Sequence, residues 1–376
     1  MGTPVDPVPA TVADALASAA NSPGYPQVAG TPQLRDAAAG WLAREHGVSV
    51  DPGAVLPVIG TKEIIASLPV LLGCGPGDTV VYPELAYPTY EIGARLAGAR
   101  AVAADGLAAL GPQRVRLVWV NSPANPTGRV LPAAHLRKMV DWARERGAVL
   151  ASDECYLGLA WEAEPVSVLH PGVSGGSAAG LLAVYSLSKR SNLAGYRAGF
   201  VAGDPALVAE LLEVRRHAGL MVPAPVQAAM TAALGDDAHA GEQRARYAAR
   251  RARLRAALEQ AGWMIEHSEA GLYLWASRAG LDCWGSVQAL AADGILVAPG
   301  EFYGPSGRRH IRVALTATDE RIDAAVSRLG ELEQGACSSS PAPATRRPRR
   351  SARPGPANCA SGSPAPRSRA PACSPT

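Results

Sequence analysis

Short apolar runs alternate with helical patterns through most of the chain. The run VLPVI at 55–59 reads as a strand, and 61–72 reads as a helix. TVVY at 79–82 is the next strand. VRLVWV at 115–120 is a continuous apolar run, the pattern of a strand buried on both faces, and a helix over 133–146 follows it. Further strands are expected at 148–151, 181–185 and 199–201. Ahead of them all, Thr31-Pro32 opens a helix over 33–45, with proline in the first turn where no N–H is needed. Strands that alternate with helices predict an α/β fold, a mostly parallel mixed sheet between helices. After Asp204 the character changes. Helices are expected over 205–217, 225–234 and 242–260, the last very basic. Short strands near 271–275, 295–297 and 311–314 and a final helix over 319–333 make a smaller α+β unit. Nothing repeats at a solenoid period.

A chain of 376 residues can hold two domains. The expected division is an N-terminal segment of the small domain (1–24), a large domain (25–238), a small C-terminal domain (239–335) and a tail (336–376). The tail is rich in Pro, Ala, Ser and Arg and is expected to be disordered. It changes the charge picture. The whole chain carries +3, but the tail holds seven arginines and no acid, which leaves about −4 on residues 1–335. A mildly acidic body gives no reason to expect nucleic acid or a membrane surface as partner. The six cysteines form no C-x-x-C pair, so neither a zinc site nor a disulfide framework is expected. No signal peptide and no bilayer-spanning run is read at either end or between, and the expected compartment is the cytoplasm.

Three polar clusters directly follow expected strands: NSPANPTG at 121–128, SDECY at 152–156 and SLSK at 186–189. A fourth, Gly60-Thr61-Lys62, separates a strand from its helix. In such a sheet, ligands sit at the carboxyl ends of strands, so all four would meet at one edge. Gly60-Thr61 opens a helix whose free N–H groups favour a phosphate. Ser186, Ser188 and Arg197 add hydroxyls and a bidentate cation. Asp153 follows an apolar strand and is expected to be buried, which demands a cationic or N–H partner. Only three lysines occur, at 62, 138 and 189. Lys189, partly desolvated and near Arg197, is suited to act as a nucleophilic amine. A phosphate cradle, a buried acid and an amine nucleophile together describe a pyridoxal phosphate (PLP) pocket. Singly, each has a plainer reading. Asp153 could cap a turn, Asn125–Gly128 could be only a turn, and Arg197 and Lys189 could be solvated surface charges.

With NPTG at 125–128, D-x-x-Y at 153–156, S-x-S-K at 186–189 with Arg197, and RVAL at 312–315, the chain resembles the fold-type I, class I/II PLP-dependent aminotransferases over 2–333. The resemblance implies that Lys189 carries PLP and shuttles the proton. It implies that Asp153 faces the pyridine nitrogen, that Asn125 and Tyr156 bond the ring hydroxyl, and that Tyr87 stacks on the ring. Gly60, Thr61, Lys62, Ser186, Ser188 and Arg197 would hold the phosphate, Arg312 the substrate α-carboxylate. Tyr25 resembles the tyrosine that reaches the neighbouring subunit's phosphate, which implies a homodimer. No metal is implied.

The stretches LPVIGTKEI, PELAYPTYEIGARLAGA, SDECYLGL and VPAPVQAAM are similar to actinobacterial N-succinyldiaminopimelate aminotransferases. That similarity implies transamination between glutamate and N-succinyl-2-amino-6-oxopimelate in lysine biosynthesis. Transamination of an aromatic or aliphatic amino acid, or a β-lyase reaction, is the alternative. Extra substrate carboxylates would want cations, and Arg95, Arg190 and Arg308 are candidates. Relatives carry some tens of residues before the segment matching Gly2-Thr3-Pro4-Val5-Asp6, and this arm packs on the partner subunit. Its loss is expected to weaken dimerisation and site closure, and to leave Gly2, which would lie near the substrate carboxylate, mobile.

Overall fold

The run VRLVWVN forms the strand Val115–Asn121, and its side chains divide between two cores. Leu117 and Trp119 pack on one face, Val118 and Val120 on the other, as the two-residue period of a strand requires. The computed structural model describes residues 2–107, 111 and 113–338. In chain order its helices are α1 (Ala10–Ser18), α2 (Pro32–His46), α3 (Thr61–Leu71), α4 (Thr89–Leu96), α5 (Ala133–Glu145) and α6 (Pro171–Ser174). Then come α7 (Leu187–Arg190), α8 (Pro205–His217), α9 (Ala224–Gly235), α10 (Ala238–Gln260), α11 (Cys283–Ala292) and α12 (Asp319–Ser338). The strands are β1 (Val55–Ile59), β2 (Thr79–Tyr82), β3 (Arg100–Ala103), β4 (Val115–Asn121), β5 (Val149–Asp153), β6 (Leu181–Ser186) and β7 (Ala198–Gly203). A second group is β8 (Met264–Glu266), β9 (Tyr273–Ser277), β10 (Ala298–Pro299) and β11 (His310–Ala314).

The first seven strands form one sheet in the order β1-β7-β6-β5-β4-β2-β3. All neighbours are parallel except β7, which runs against both β1 and β6. This is the α/β, fold-type I architecture expected from the sequence. The carboxyl ends of β1, β4, β5 and β6 therefore share one edge. Because β7 is reversed, the residue before it, Arg197, arrives at that same edge. The other four strands form an antiparallel sheet, β10-β11-β9-β8, around its own core of Leu272, Leu274, Ile311 and neighbours.

Local chemistry sets several boundaries. The Thr31 hydroxyl accepts from Leu34 N at 3.2 Å and caps α2, and Gly47 ends it in the left-handed region. The strand expected at 148–151 continues through Asp153. The strand expected at 295–297 is absent. Gly294 turns α11 off at φ 70°, Ile295 N bonds back to Leu290 O, and Leu296 is 79% exposed. Pairing with β11 begins only at Ala298. The strand expected from 271 starts at Tyr273, since Gly271 holds a turn at φ 83°. Helices α1, α4 and α11, the single turns α6 and α7, and strands β3 and β8 were not anticipated.

The start of the chain spans both sheets. Val12 of α1 belongs to the core beneath α2 and α9, whereas Asp6 pairs with buried Arg250 of α10 at 2.7 Å. Helix α12 runs on through 336–338, and the remainder of the tail expected to be disordered lies outside the described residues.

Candidate active site

The shared strand edge opens into a cavity of about 540 Å³. Each strand end delivers a different group to it. Asp153 is the last residue of β5 and is buried, with 5% exposure. Its Oδ2 accepts from the Tyr90 hydroxyl at 2.7 Å and its Oδ1 from Cys155 N at 3.2 Å. Burial pushes its pKa above the ordinary 3.8, and the hydrogen bonds from Cys155 and Tyr90 oppose that rise. Among the described residues no lysine, arginine or histidine makes an ion pair with it. A buried carboxylate with two donors and no cation suits a protonated ring nitrogen.

Ser186 ends β6, and its hydroxyl accepts from Ser188 N at 3.2 Å, which starts the single turn of α7. That turn carries Ser188 and Lys189 into the cavity. The Lys189 amine donates to Gly2 O at 2.8 Å. Beside it, Gly60 precedes α3 at φ 73°, and a Cβ there would collide with the Arg197 guanidinium. Glycine is thus needed both for its backbone conformation and for the approach of a cation. Thr61 in the first turn of α3, the Ser186 and Ser188 hydroxyls and Arg197 line one end of the cavity. Arg197 is exposed and donates to Ala194 O at 2.8 Å. Open N–H groups, hydroxyls and a guanidinium at a helix start fit a phosphate.

The opposite end belongs to Arg312, buried on β11. Its Nη1 donates to Asn125 Oδ1 at 2.8 Å. Its guanidinium lies 3.9 Å from the Tyr273 ring centroid and 4.8 Å from that of Tyr303, and its Nε is buried without a partner. Tyr156 and Tyr273 share a hydroxyl contact at 3.1 Å. Burial pushes Tyr156 well up, with Tyr273 adding to the rise and Arg312 opposing it. Tyr87 lines the cavity half-buried, with the Lys62 amine 5.7 Å from its ring centre.

Twelve of the residues picked from sequence therefore meet on this cavity, and Gly60 adjoins it through Arg197. Tyr25 does not. It is 96% exposed on the loop between α1 and α2. The suggested carboxylate cations are elsewhere too: Arg95 pairs with Glu91, Arg190 with Asp237 at 2.6 Å, and Arg308 with Glu301 at 3.5 Å. Sequence reasoning missed Cys155, whose thiol donates to the Thr61 hydroxyl at 3.3 Å, and Tyr273 and Tyr90.

An amine, a buried carboxylate and an anion cradle on one edge of such a sheet define a PLP-dependent enzyme of fold type I. Residues 3–329 match the family model for aminotransferase class I and II, and the chain belongs to that family. It is a transaminase whose cofactor is PLP, acting on amino acids and 2-oxo acids. It is 64% identical over 330 residues to a probable aminotransferase of Mycobacterium tuberculosis, covering 88% of this chain and 79% of that protein. It is 62% identical over 329 residues to the 4-dedimethylamino-4-oxo-anhydrotetracycline transaminase OxyQ of Streptomyces rimosus, covering 88% and 91%. Among solved structures, a probable N-succinyldiaminopimelate aminotransferase from Thermus thermophilus superposes with a TM-score of 0.78. It shares 31% identity and covers 88% of this chain and 93% of that one.

Proposed function

We propose that this transaminase moves an amino group between glutamate and N-succinyl-2-amino-6-oxopimelate, within lysine and diaminopimelate biosynthesis. The observation that carries transamination at a carbon bearing a carboxylate is the buried Arg312, backed by Asn125 and two tyrosine rings, with its Nε free of partners among the described residues. A guanidinium so fixed grips the carboxylate beside the reacting carbon, and both glutamate and the oxopimelate carry one there. The solved relative from Thermus thermophilus supports the choice of substrate.

Bound PLP supplies an aldehyde for the amino group and an electron sink for the pair left when the Cα–H bond breaks. The chain does the rest. Lys189 Nζ anchors the cofactor, takes the substrate Cα proton and later returns one. Asp153 holds the ring nitrogen protonated. Tyr87 stacks on the ring, and Asn125 and Tyr156 bond its hydroxyl. Gly60, Thr61, Lys62, Ser186, Ser188 and Arg197 hold the phosphate, and Gly2 closes over the substrate carboxylate. The exposed Tyr25 suits a homodimer in which it reaches the partner's phosphate. The same reading divides the chain into a large domain (25–238) and a small one (239–335), with 1–24 bridging them, and puts the enzyme in the cytoplasm. Among the described residues no helix is long and apolar enough to cross a membrane.

A second reading, amination of a polycyclic ketone, is favoured by the 62% identity to OxyQ. The test is one assay with PLP-loaded protein. N-succinyl-LL-2,6-diaminopimelate with 2-oxoglutarate is expected to yield glutamate. Turnover only with the oxo-anhydrotetracycline would establish the second reading, and turnover with neither would overturn both.

A further inference from the structure

Tyr87 and Tyr90 lie on one face of the chain entering α4, and they face different things. Tyr87 meets the cavity. Tyr90 is fully buried one turn deeper, 5.1 Å from Trp119 between ring centroids, and its hydroxyl donates to Asp153 Oδ2 at 2.7 Å. The two rings meet edge to face at 6.3 Å. We propose that Tyr90 is a positioning residue of this transaminase, which holds the Asp153 carboxylate charged and aimed through that hydrogen bond. The inference rests on the reading of Asp153 as the partner of the cofactor nitrogen.

The physical case is a balance at one buried group. Burial drives Asp153 toward its neutral acid. A neutral acid has no charge with which to keep a ring nitrogen protonated. The donors that oppose burial are the Tyr90 hydroxyl and the Cys155 group, and the Cys155 backbone N–H is fixed by chain geometry. Tyr90 is the donor that arrives from a different element, and a Phe substitution removes that donor alone. The titratable groups facing this carboxylate are Tyr90 from α4 and Cys155 from the segment after β5, while Tyr156 acts on Tyr90 and Lys189 of α7 acts on Cys155. Tyr90 and Cys155 are themselves pushed well up by burial first and by Asp153 second, so both remain protonated donors at neutral pH. The hydroxyl favours the ionised carboxylate, so its loss must raise the pH at which Asp153 titrates. A hydrogen bond to a charged group corresponds to a shift of about one unit or more.

The experiment is Tyr90→Phe, which keeps the ring on Trp119 and removes only the donor. In the cofactor-free protein, the infrared carboxyl band of Asp153, assigned by its loss in Asp153→Asn, is expected to titrate about one unit higher than in the wild type. In the PLP-loaded protein, the acid limb of the half-reaction with glutamate is expected to move the same way. An unchanged Asp153 midpoint in a variant that melts like the wild type would overturn the proposal. If Tyr90→Phe does not fold, 3-fluorotyrosine placed at position 90 keeps the shape and strengthens the donor. The midpoint must then fall, and no change overturns the proposal equally. The reading of Asp153 fails separately, if Asp153→Asn leaves the half-reaction rate intact while the Tyr90 shift is present.

Discussion

The Lys189 amine donates to a backbone carbonyl, Gly2 O, in a cavity where Arg312 is the most buried cation among the described residues. A primary amine there is the group that can bond an aldehyde reversibly. Lys189→Ala is expected to abolish transamination and to leave no borohydride-trappable PLP on the protein, checked by mass spectrometry. Asp153→Ala is expected to slow the half-reaction with glutamate by several orders of magnitude, read by stopped flow. Its neighbour Glu154 gives a stability prediction. Burial raises Glu154 from an ordinary 4.5 to about 7, opposed first by its hydrogen bond with Val168 N. A raised folded value means stability present below about 4.5 and lost as pH rises through about 7. Glu154→Gln is therefore expected to melt like the wild type at pH 5 and above it at pH 8. Asp153, Ser186 and Lys189 were legible because each directly ends or follows an apolar strand. Tyr90 was not, because a buried tyrosine reads like any core aromatic until its hydroxyl's partner is known. Tyr273 was hidden for a related reason, since nothing in GLYLW says which face of β9 meets the cavity.

Among elements, the start of α3 makes the heaviest demand on a single residue. Gly60 must hold φ 73° while the Arg197 guanidinium occupies the space of a Cβ. Gly60→Ala would combine backbone strain with displacement of Arg197, the cation proposed to hold the phosphate. PLP affinity, measured by titrating the cofactor-free protein, is expected to fall about tenfold or more. Gly128 makes a similar demand at the end of the NPTG turn, at φ 71° against the backbone of Ser268 and Ala270. Six strands of the large sheet were legible as apolar runs, because burial leaves such runs, and the edge strand β3, exposed at both ends, was not. The small sheet was read less well. The triplet Ile295-Leu296-Val297 is as apolar as a strand but follows a glycine-terminated helix, and Ile295 N bonds back to Leu290 O of α11. Helix α11 was missed because Gly285 interrupts its first turn, where the Asp282 carboxylate caps it at 2.7 Å.

For the whole molecule, the two sheets are tied together at the beginning of the chain. Asp6 accepts from Arg250 Nη1 and Nη2 at 2.8 and 2.7 Å, and Arg250 Nε reaches Asp319 at 2.9 Å. Four residues earlier, Gly2 O receives the Lys189 amine. Asp6→Ala would leave both Nη atoms of a guanidinium with 1% exposure without Asp6, with Asp319 still on its Nε, and is expected to destabilise the fold by about 3 kcal/mol, read by urea unfolding. If the enzyme is the proposed homodimer, Tyr25→Phe and Lys189→Ala should complement each other. Mixed dimers then contain one site with both groups, and mixing is expected to restore tight PLP binding in that site. The sequence carried no trace of the Asp6–Arg250 link, because the partners are 244 residues apart and each resembles an ordinary surface charge. Arg312 stands on β11 of the small sheet and bonds Asn125, which follows β4 of the large sheet, whereas Lys189 stands on α7, which follows β6 of the large sheet. The proposed grip on the substrate and the proposed proton shuttle are thus carried by separate elements. If Arg312 and Lys189 hold their proposed roles, an amino donor whose amino carbon directly bears its carboxylate suits both at once, so glutamate is expected to be turned over in preference to its β- and γ-amino isomers.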